Sequence, residues 1–261
     1  MLPCWPRRIL FLHLLTTFDA ITLPTTASPG PGDYIEAYKD LAASGAEEII
    51  SIHMTSKASG AYQAACVAQS MMEEQMPGLH IEVIDTRNAS AGQGLVAMYA
   101  AECADAGMDA TAITSAVQAV LPRTRTFAYL PTLDYGVRGG RVPAIARTFA
   151  NLLRLSPLLA ISNDGHVGIG GALFGRRDRV AKFIRFIGRR IVAGRRYRLI
   201  VGHGDAADAG RRLLEALTTR HPGIERSWLV PCGAALGVHG GPGFLVVGLQ
   251  EYDQPLPPAA S

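Results

Sequence analysis

What this sequence lacks narrows the reading first. It has no apolar stretch long enough to span a bilayer: the start, "MLPCWPRRILFLHLLTTFDA", sets two arginines before a short apolar run in the manner of an export signal. That run is too short to cross a membrane and no small-x-small cleavage pattern follows it closely. The four cysteines, Cys4, Cys66, Cys103 and Cys232, stand far apart with no CxxC pair. This argues against a zinc site, offers no disulfide framework, and fits a reducing, cytoplasmic setting. GxGxxG and GxxxxGK[ST] are both missing, which removes the usual dinucleotide and P-loop nucleotide sites, and there is no GxSxG elbow for a hydrolase nucleophile. No carboxylate cluster stands ready for magnesium, so a phosphotransferase built on Asp85 alone has little support.

Charge is scarce in sum and uneven in place. The formal net charge is +3, yet residues 176–198 ("RRDRVAKFIRFIGRRIVAGRRYR") carry nine Arg and one Lys against one Asp, a local +9 that leaves about −6 to the rest. Without a recognition motif this segment does not read as a nucleic-acid binder. It reads as an amphipathic helix that turns Phe183, Ile184, Phe186 and Ile187 inward and a basic face outward, either solvated or docked to an acidic protein or phosphorylated ligand.

What is present is a core-forming composition, 48% hydrophobic over 261 residues, enough for one large or two modest domains. From Asp33 the pattern alternates. "DYIEAYKDLAASGAE" predicts a helix ending near Gly45, "EIISIHM" a buried strand, residues 60–76 a helix, "HIEVIDT" a strand, and residues 94–106 another helix. That order implies a parallel sheet with helices on its faces, and ligands of such sheets collect beyond the carboxyl ends of the strands. Two turns rich in small residues fall at that edge, "TSKASG" and "RNASAGQG". In the first, Ser59 can cap the following helix, Gly60 lets a ligand near the backbone, and Thr55 and Ser56 add hydroxyls; the helix terminus favours an anion, although an ordinary N-cap explains Ser59 equally well.

After Pro122 the texture changes. A Leu-rich helix is expected around 144–155, and the Asn-Asp-Gly of "SPLLAISNDGHVGIGGALF" predicts a hairpin. A strand then a helix follow in "YRLIVGHGDAADAGRRLLEAL", where Asp205 is the expected cap after His203. "VHGGPG" puts His239 on a constrained turn before the last strand, where an imidazole can meet a ligand. A hydrolase would recruit Ser56 or Ser59 as nucleophile, His239 as base and Asp85 or Asp205 to orient it. An enzyme using Ser59 and His239, hydrolase-like or phosphotransferase, is therefore the alternative to a binding protein. "DQPLPPAAS" reads as a frayed tail.

Seven segments in order, "LPTTASPGPGDYIEAY", "IISIHMTSKASGAYQAA", "VIDTRNASAGQGL", "LDYGVRGGRV", "LSPLLAISNDGHV", "IVGHGD" and "VHGGPG", together resemble the DegV family of bacterial fatty-acid-binding proteins that serve fatty acid kinases. The resemblance runs from about residue 20 to 250 and implies two α/β domains, residues 1–122 with a parallel sheet and residues 123–261 with antiparallel strands, enclosing one long-chain fatty acid between them. It implies a carrier rather than an enzyme, no cofactor beyond the bound acid, a fatty acid kinase as partner and a monomer. It puts the carboxylate beside Thr26, Ser56, Ser59, Gly60 and His239, with Asp85, Ser90, Arg138, Arg176 (or Arg177) and Gly241 around it. The family's opening strand and its Thr/Ser-Asp-Ser turn have no counterpart here, and "RILFLHLLTTF" is the segment that could stand in as a strand. Independently of the resemblance, hydroxyls and helix N–H groups are what a buried carboxylate needs in place of water.

Overall fold

The computed structural model describes residues 24–142, 155–175 and 177–252. The N-terminal apolar run, most of the segment expected to form the Leu-rich helix, Arg176 and the C-terminal tail lie outside them.

The first half builds helix α1 (Pro31–Ala43), strand β1 (Glu48–His53), α2 (Ala61–Gln75), β2 (His80–Asp85), α3 (Ser90–Asp105) and α4 (Ala110–Val120). Local chemistry sets these ends. Pro31 opens α1, where Asp33 Oδ2 accepts the Gly30 N–H at 2.7 Å, and Gly45 takes φ +99° just past its close. Asp109 caps α4 by accepting the Ala112 N–H at 2.7 Å. β1 and β2 pair in parallel, Glu48 opposite His80 through His53 opposite Asp85.

The second half supplies β3 (Thr124–Tyr129), α5 (Asp134–Arg138), β4 (Leu155–Ile161), β5 (Val167–Phe174), α6 (Arg179–Gly188), β6 (Arg196–His203), α7 (Ala207–Arg220), β7 (Ile224–Pro231), α8 (Ala234–Gly240) and β8 (Leu245–Tyr252). These strands form one six-stranded sheet in the order β5-β4-β3-β8-β6-β7, antiparallel except for β6 against β7. The β4–β5 hairpin expected from Asn163-Asp164-Gly165 is there, with Gly165 at φ +93°. One face of the sheet packs on α6 and α7 through Phe183, Ile187, Leu213 and Leu217. The other packs on α3 and on the α5 and α8 region through Ala91, Leu95, Leu133 and Phe244.

α3 joins the two halves. Its Ala91 and Leu95 belong to the core against the large sheet, whereas Val96, Ala100 and Cys103 belong to the core with Ile84 and the α4 residues Ile113 and Val117. A helix buried on two sides loses its amphipathic stripe, which explains why "SAGQGLVAMYAAECAD" shows none. The helix begins at Ser90, earlier than its periodicity suggests, because the small residues read as a turn are its contact surface: a Cβ on Gly92 would collide with Thr126 Oγ1.

Three further expectations are corrected. The basic stretch is not one helix, since α6 stops at Gly188 and Arg196 and Arg198 leave on β6. His239 lies within α8 rather than on a turn, because Gly241 at φ +70° makes the turn one residue pair later. Asp205 does not cap α7. It takes φ +52°, and the Ala206 N–H is met instead by His203 Nδ1 at 3.3 Å.

Candidate functional site

Three chain reversals meet where β1, β2 and the β4–β5 hairpin end. Thr55, fully buried after β1, donates its hydroxyl to the Gly165 carbonyl at the hairpin tip (2.8 Å), and its N–H goes to the Asn88 carbonyl (2.7 Å). Thr86 Oγ1 donates to the His53 carbonyl (2.8 Å), and Thr126 Oγ1 donates to Asn88 Oδ1 (2.9 Å). The small parallel sheet is thereby tied to the large one through satisfied polar groups, which is the arrangement that makes a buried polar corner stable.

Segment 24–30 reaches the turn after β1 and α8. Thr26 Oγ1 lies 2.9 Å from His239 Nε2, and Ser28 Oγ lies 2.9 Å from Ser59 Oγ. Ser59 Oγ also accepts the Ala61 N–H at 3.2 Å at the start of α2, where Gly60 rather than Ser59 is the N-cap residue. Asp85 organises the turns on either side of it, accepting the Ser56 N–H at 3.2 Å and the Arg87 N–H at 2.7 Å. Gly60 is exposed with open space where a side chain would be. Gly241 is buried with the Tyr135 ring against it, and Arg138 and Arg177 are exposed.

Behind His239 a cavity of about 130 Å³ opens between the start of α3, strands β3, β4 and β8, and the α5 and α8 helices. Its walls are almost wholly apolar, with Ala128, Leu130, Leu159, Phe244 and Val246 prominent, and its polar groups include Ser90, Arg141 and His239. The half-buried His239 has its pKa pushed below the usual histidine value, by burial first and then by the Arg141 charge, so a neutral imidazole faces the site at neutral pH. Its Nδ1 has no hydrogen-bond partner among the described residues.

The structure thus puts Thr26 on His239 and Ser28 on Ser59; Ser90 and His239 line the cavity, and Thr26 and Ser59 are not among its described lining residues. Ser56, Gly60, Asp85, Arg138 and Gly241 do not line the cavity. A Ser-His-Asp relay is not assembled among the described residues, since His239 Nε2 meets a threonine and Asp85 is committed to backbone N–H groups. Nor do those residues hold a metal-binding cluster or a helix long and apolar enough to cross a membrane. Sequence reasoning passed over Arg141, the cationic residue among the described lining of the cavity. Its signal was the "RGG" before it: Gly140 at φ +71° and the bond from the Arg141 N–H to the Gly136 carbonyl at 3.0 Å turn the chain back over α5.

Comparison with known proteins agrees with this layout. The family profile described as "Uncharacterised protein, DegV family" matches residues 13–251. A DegV domain-containing protein of Streptomyces coelicolor is 32% identical over 223 residues, covering 85% of this chain and 77% of its own. One from Streptococcus pyogenes is 27% identical over 93% of this chain and 83% of its own. Among solved structures, a DegV lipid-binding protein of Thermotoga maritima superposes with a TM-score of 0.81 at 22% identity, over 95% of this chain and 85% of that one. A fatty-acid-binding DegV family protein of Thermus thermophilus does so at 0.80 and 24% identity, over 94% and 84%.

Proposed function

The chain belongs to the DegV family, and from that membership we propose that it binds one long-chain fatty acid, tail in the apolar cavity and carboxylate beside Thr26, Ser90, Arg141 and His239, and offers that carboxylate to a partner kinase. The observation that carries the reading is the cavity: almost wholly apolar along its walls, with Ser90, Arg141 and His239 among its lining residues. Relatives described as fatty-acid-binding, from Thermus thermophilus and Streptococcus agalactiae among others, support the ligand class.

The energetics favour the same ligand. A buried tail contributes about 0.8 kcal/mol per CH₂, and a carboxylate taken from water loses several kcal/mol unless charged and hydroxyl donors replace its hydration. Arg141 offers that countercharge and is itself exposed, so a head group held there stays within reach of a second protein. The present volume of about 130 Å³ is below the roughly 300–1,000 Å³ usual for ligand sites. A full acyl chain therefore displaces the wall formed by Val142, Leu236 and Phe244, residues contributed by loops and the short α8 rather than by the sheet.

Native mass spectrometry of the gently purified protein, then denaturation and identification of what is released, tests the reading. One fatty acid per chain supports it, whereas a folded protein that neither carries nor takes up a fatty acid overturns it. Ala128 lines the cavity from the sheet, and Ala128→Phe fills the space of about three methylenes, so affinity for a sixteen-carbon acid falls by about 50-fold while shorter acids are spared. Displacement of a fluorescent fatty acid measures it; equal loss across chain lengths would mean the tail does not pass Ala128.

A further inference from the structure

A second and larger concavity, about 800 Å³, lies on the opposite face of the six-stranded sheet, beside the connection that follows α6. Phe127 of β3 and Leu249 of β8, which point to the α6 side of the sheet, contribute to its floor. Among the described residues five arginines surround it: Arg123 and Arg125 from the entry to β3, and Arg189, Arg190 and Arg195 from the connection between α6 and β6. Glu251 is the carboxylate in the lining among the described residues, and it is engaged by Arg195 and by the Tyr197 hydroxyl at 3.3 Å.

Arg125, Arg189 and Arg190 have no carboxylate partner among the described residues, yet two of the three are held in place. Arg190 donates to the Phe186 carbonyl at 2.7 Å and its guanidinium sits 3.4 Å over the Phe186 ring and 5.0 Å from that of Phe127. Arg125 donates to Asn163 Oδ1 at 2.5 Å. Guanidinium groups fixed without a countercharge above an apolar floor are preorganised for a ligand that has several negative oxygens and an apolar body. The volume is that of a small-molecule site, and a concavity does not suit a flat lipid surface. The bare strand keeps it open: Gly168 of β5 lines the groove, and a Cβ there would have nothing within 4 Å.

We propose that this groove binds an organic polyphosphate, of the nucleoside triphosphate class, with its phosphates on Arg125, Arg189 and Arg190 and its apolar body on Phe127 and Leu249. The site is separate from the fatty-acid cavity and goes beyond the reading given above.

Isothermal titration of the full chain with ATP, and in parallel with inorganic tripolyphosphate, tests it at low and at physiological salt. Gly168→Glu puts a negative side chain into the groove at a position where a Cβ meets nothing within 4 Å, and Arg189→Glu reverses an exposed cation whose side chain makes no hydrogen bond or ion pair among the described residues. Each is expected to weaken ATP binding by at least about tenfold while fatty-acid displacement and the thermal midpoint stay at wild-type values. Tripolyphosphate is expected to bind more weakly than ATP, because it lacks the part that rests on the floor. Absence of saturable ATP binding, or ATP binding that neither variant changes, overturns the proposal. So does binding to anionic phosphatidylglycerol vesicles that both variants abolish when ATP does not bind, which would make the face a membrane contact.

Discussion

Arg198 shows how far a single residue can depart from its sequence neighbourhood. It closes the most basic stretch of the chain, yet it is fully buried, paired with Glu102 of α3 and lying 5.8 Å from the Tyr252 ring. Glu102 also meets Arg226 at 2.9 Å, so one carboxylate on α3 holds two strands of the large sheet. Removing it leaves a guanidinium in the core with no countercharge, since the Arg198 Nε and Nη1 atoms have no partner among the described residues. Glu102→Ala is therefore expected to cost about 3 kcal/mol in urea denaturation, and Glu102→Leu combined with Arg198→Met to recover most of it. A loss below about 0.5 kcal/mol would mean the pair is solvated and worth no more than a surface bridge. The sequence could not tell this arginine from its exposed neighbours, because burial of a charge depends on a partner 96 positions away. By contrast Cys232, buried beside the cavity core with its thiol pushed up to about 12, is an inert apolar filler, as the absence of any CxxC pattern implied.

At the scale of elements, α3 decides how closely the two sheets approach. Gly248 in the middle of β8 faces its first turn, and a Cβ there would stand 2.6 Å from the Ala91 carbonyl carbon and oxygen. Backbone cannot move aside as a long side chain can. Gly248→Ala is expected to destabilise the protein by about 1–3 kcal/mol and to weaken fatty-acid binding as well, since Ala89 and Ser90 border the cavity. Unchanged stability in thermal denaturation would show that α3 slides freely on the sheet. The strands and helices themselves were largely legible. α1, β1, α2, β2 and the β4–β5 hairpin fall where periodicity and turn residues put them, and the boundaries that moved did so where packing outranked pattern: α3 begins earlier because its glycines face the sheet, and α6 ends early because Arg196 and Arg198 are recruited to β6.

Across the whole molecule, the corner at Thr55 couples the small sheet to the hairpin of the large one. Its hydroxyl joins the turn after β1 to the hairpin tip, and Gly165 carries no Cβ because Thr55 occupies that space. Thr55→Val keeps the shape and deletes the donor, leaving the Gly165 carbonyl unpaired at about 1–2 kcal/mol. Hydrogen exchange is expected to speed up at residues 162–166 and at 54–60 together, with strands β6 to β8 unaffected; acceleration at one segment alone would mean the two are not coupled through this bond.

Acid acts on the same region. His53 and His239 both have pKa values held below 6.5, in each case chiefly by burial, with Asp85 opposing at His53 and Arg141 adding to the shift at His239. A group whose folded pKa is depressed takes up its proton more readily when unfolded. Stability is therefore fully present above the ordinary histidine pKa of 6.5 and is lost as the pH falls from there toward the lowered folded values. The urea midpoint should decline across that window, and a His53→Asn, His239→Gln double variant should decline less. A parallel decline would assign the acid sensitivity to other groups.

The sequence by itself determined the α/β class, the order of most elements, the absence of nucleotide and zinc motifs, and the segments that carry the family likeness, because each of these rests on local periodicity or on residue types adjacent along the chain. Tertiary structure decided which polar residues meet. Thr26 finds His239 across 213 positions, Ser28 finds Ser59 across 31, and Arg141 reaches the cavity only after the chain turns back at Gly140. Hydrogen bonds and ion pairs act over a few ångströms in space and are indifferent to distance in sequence, so the turns were readable and their partners were not.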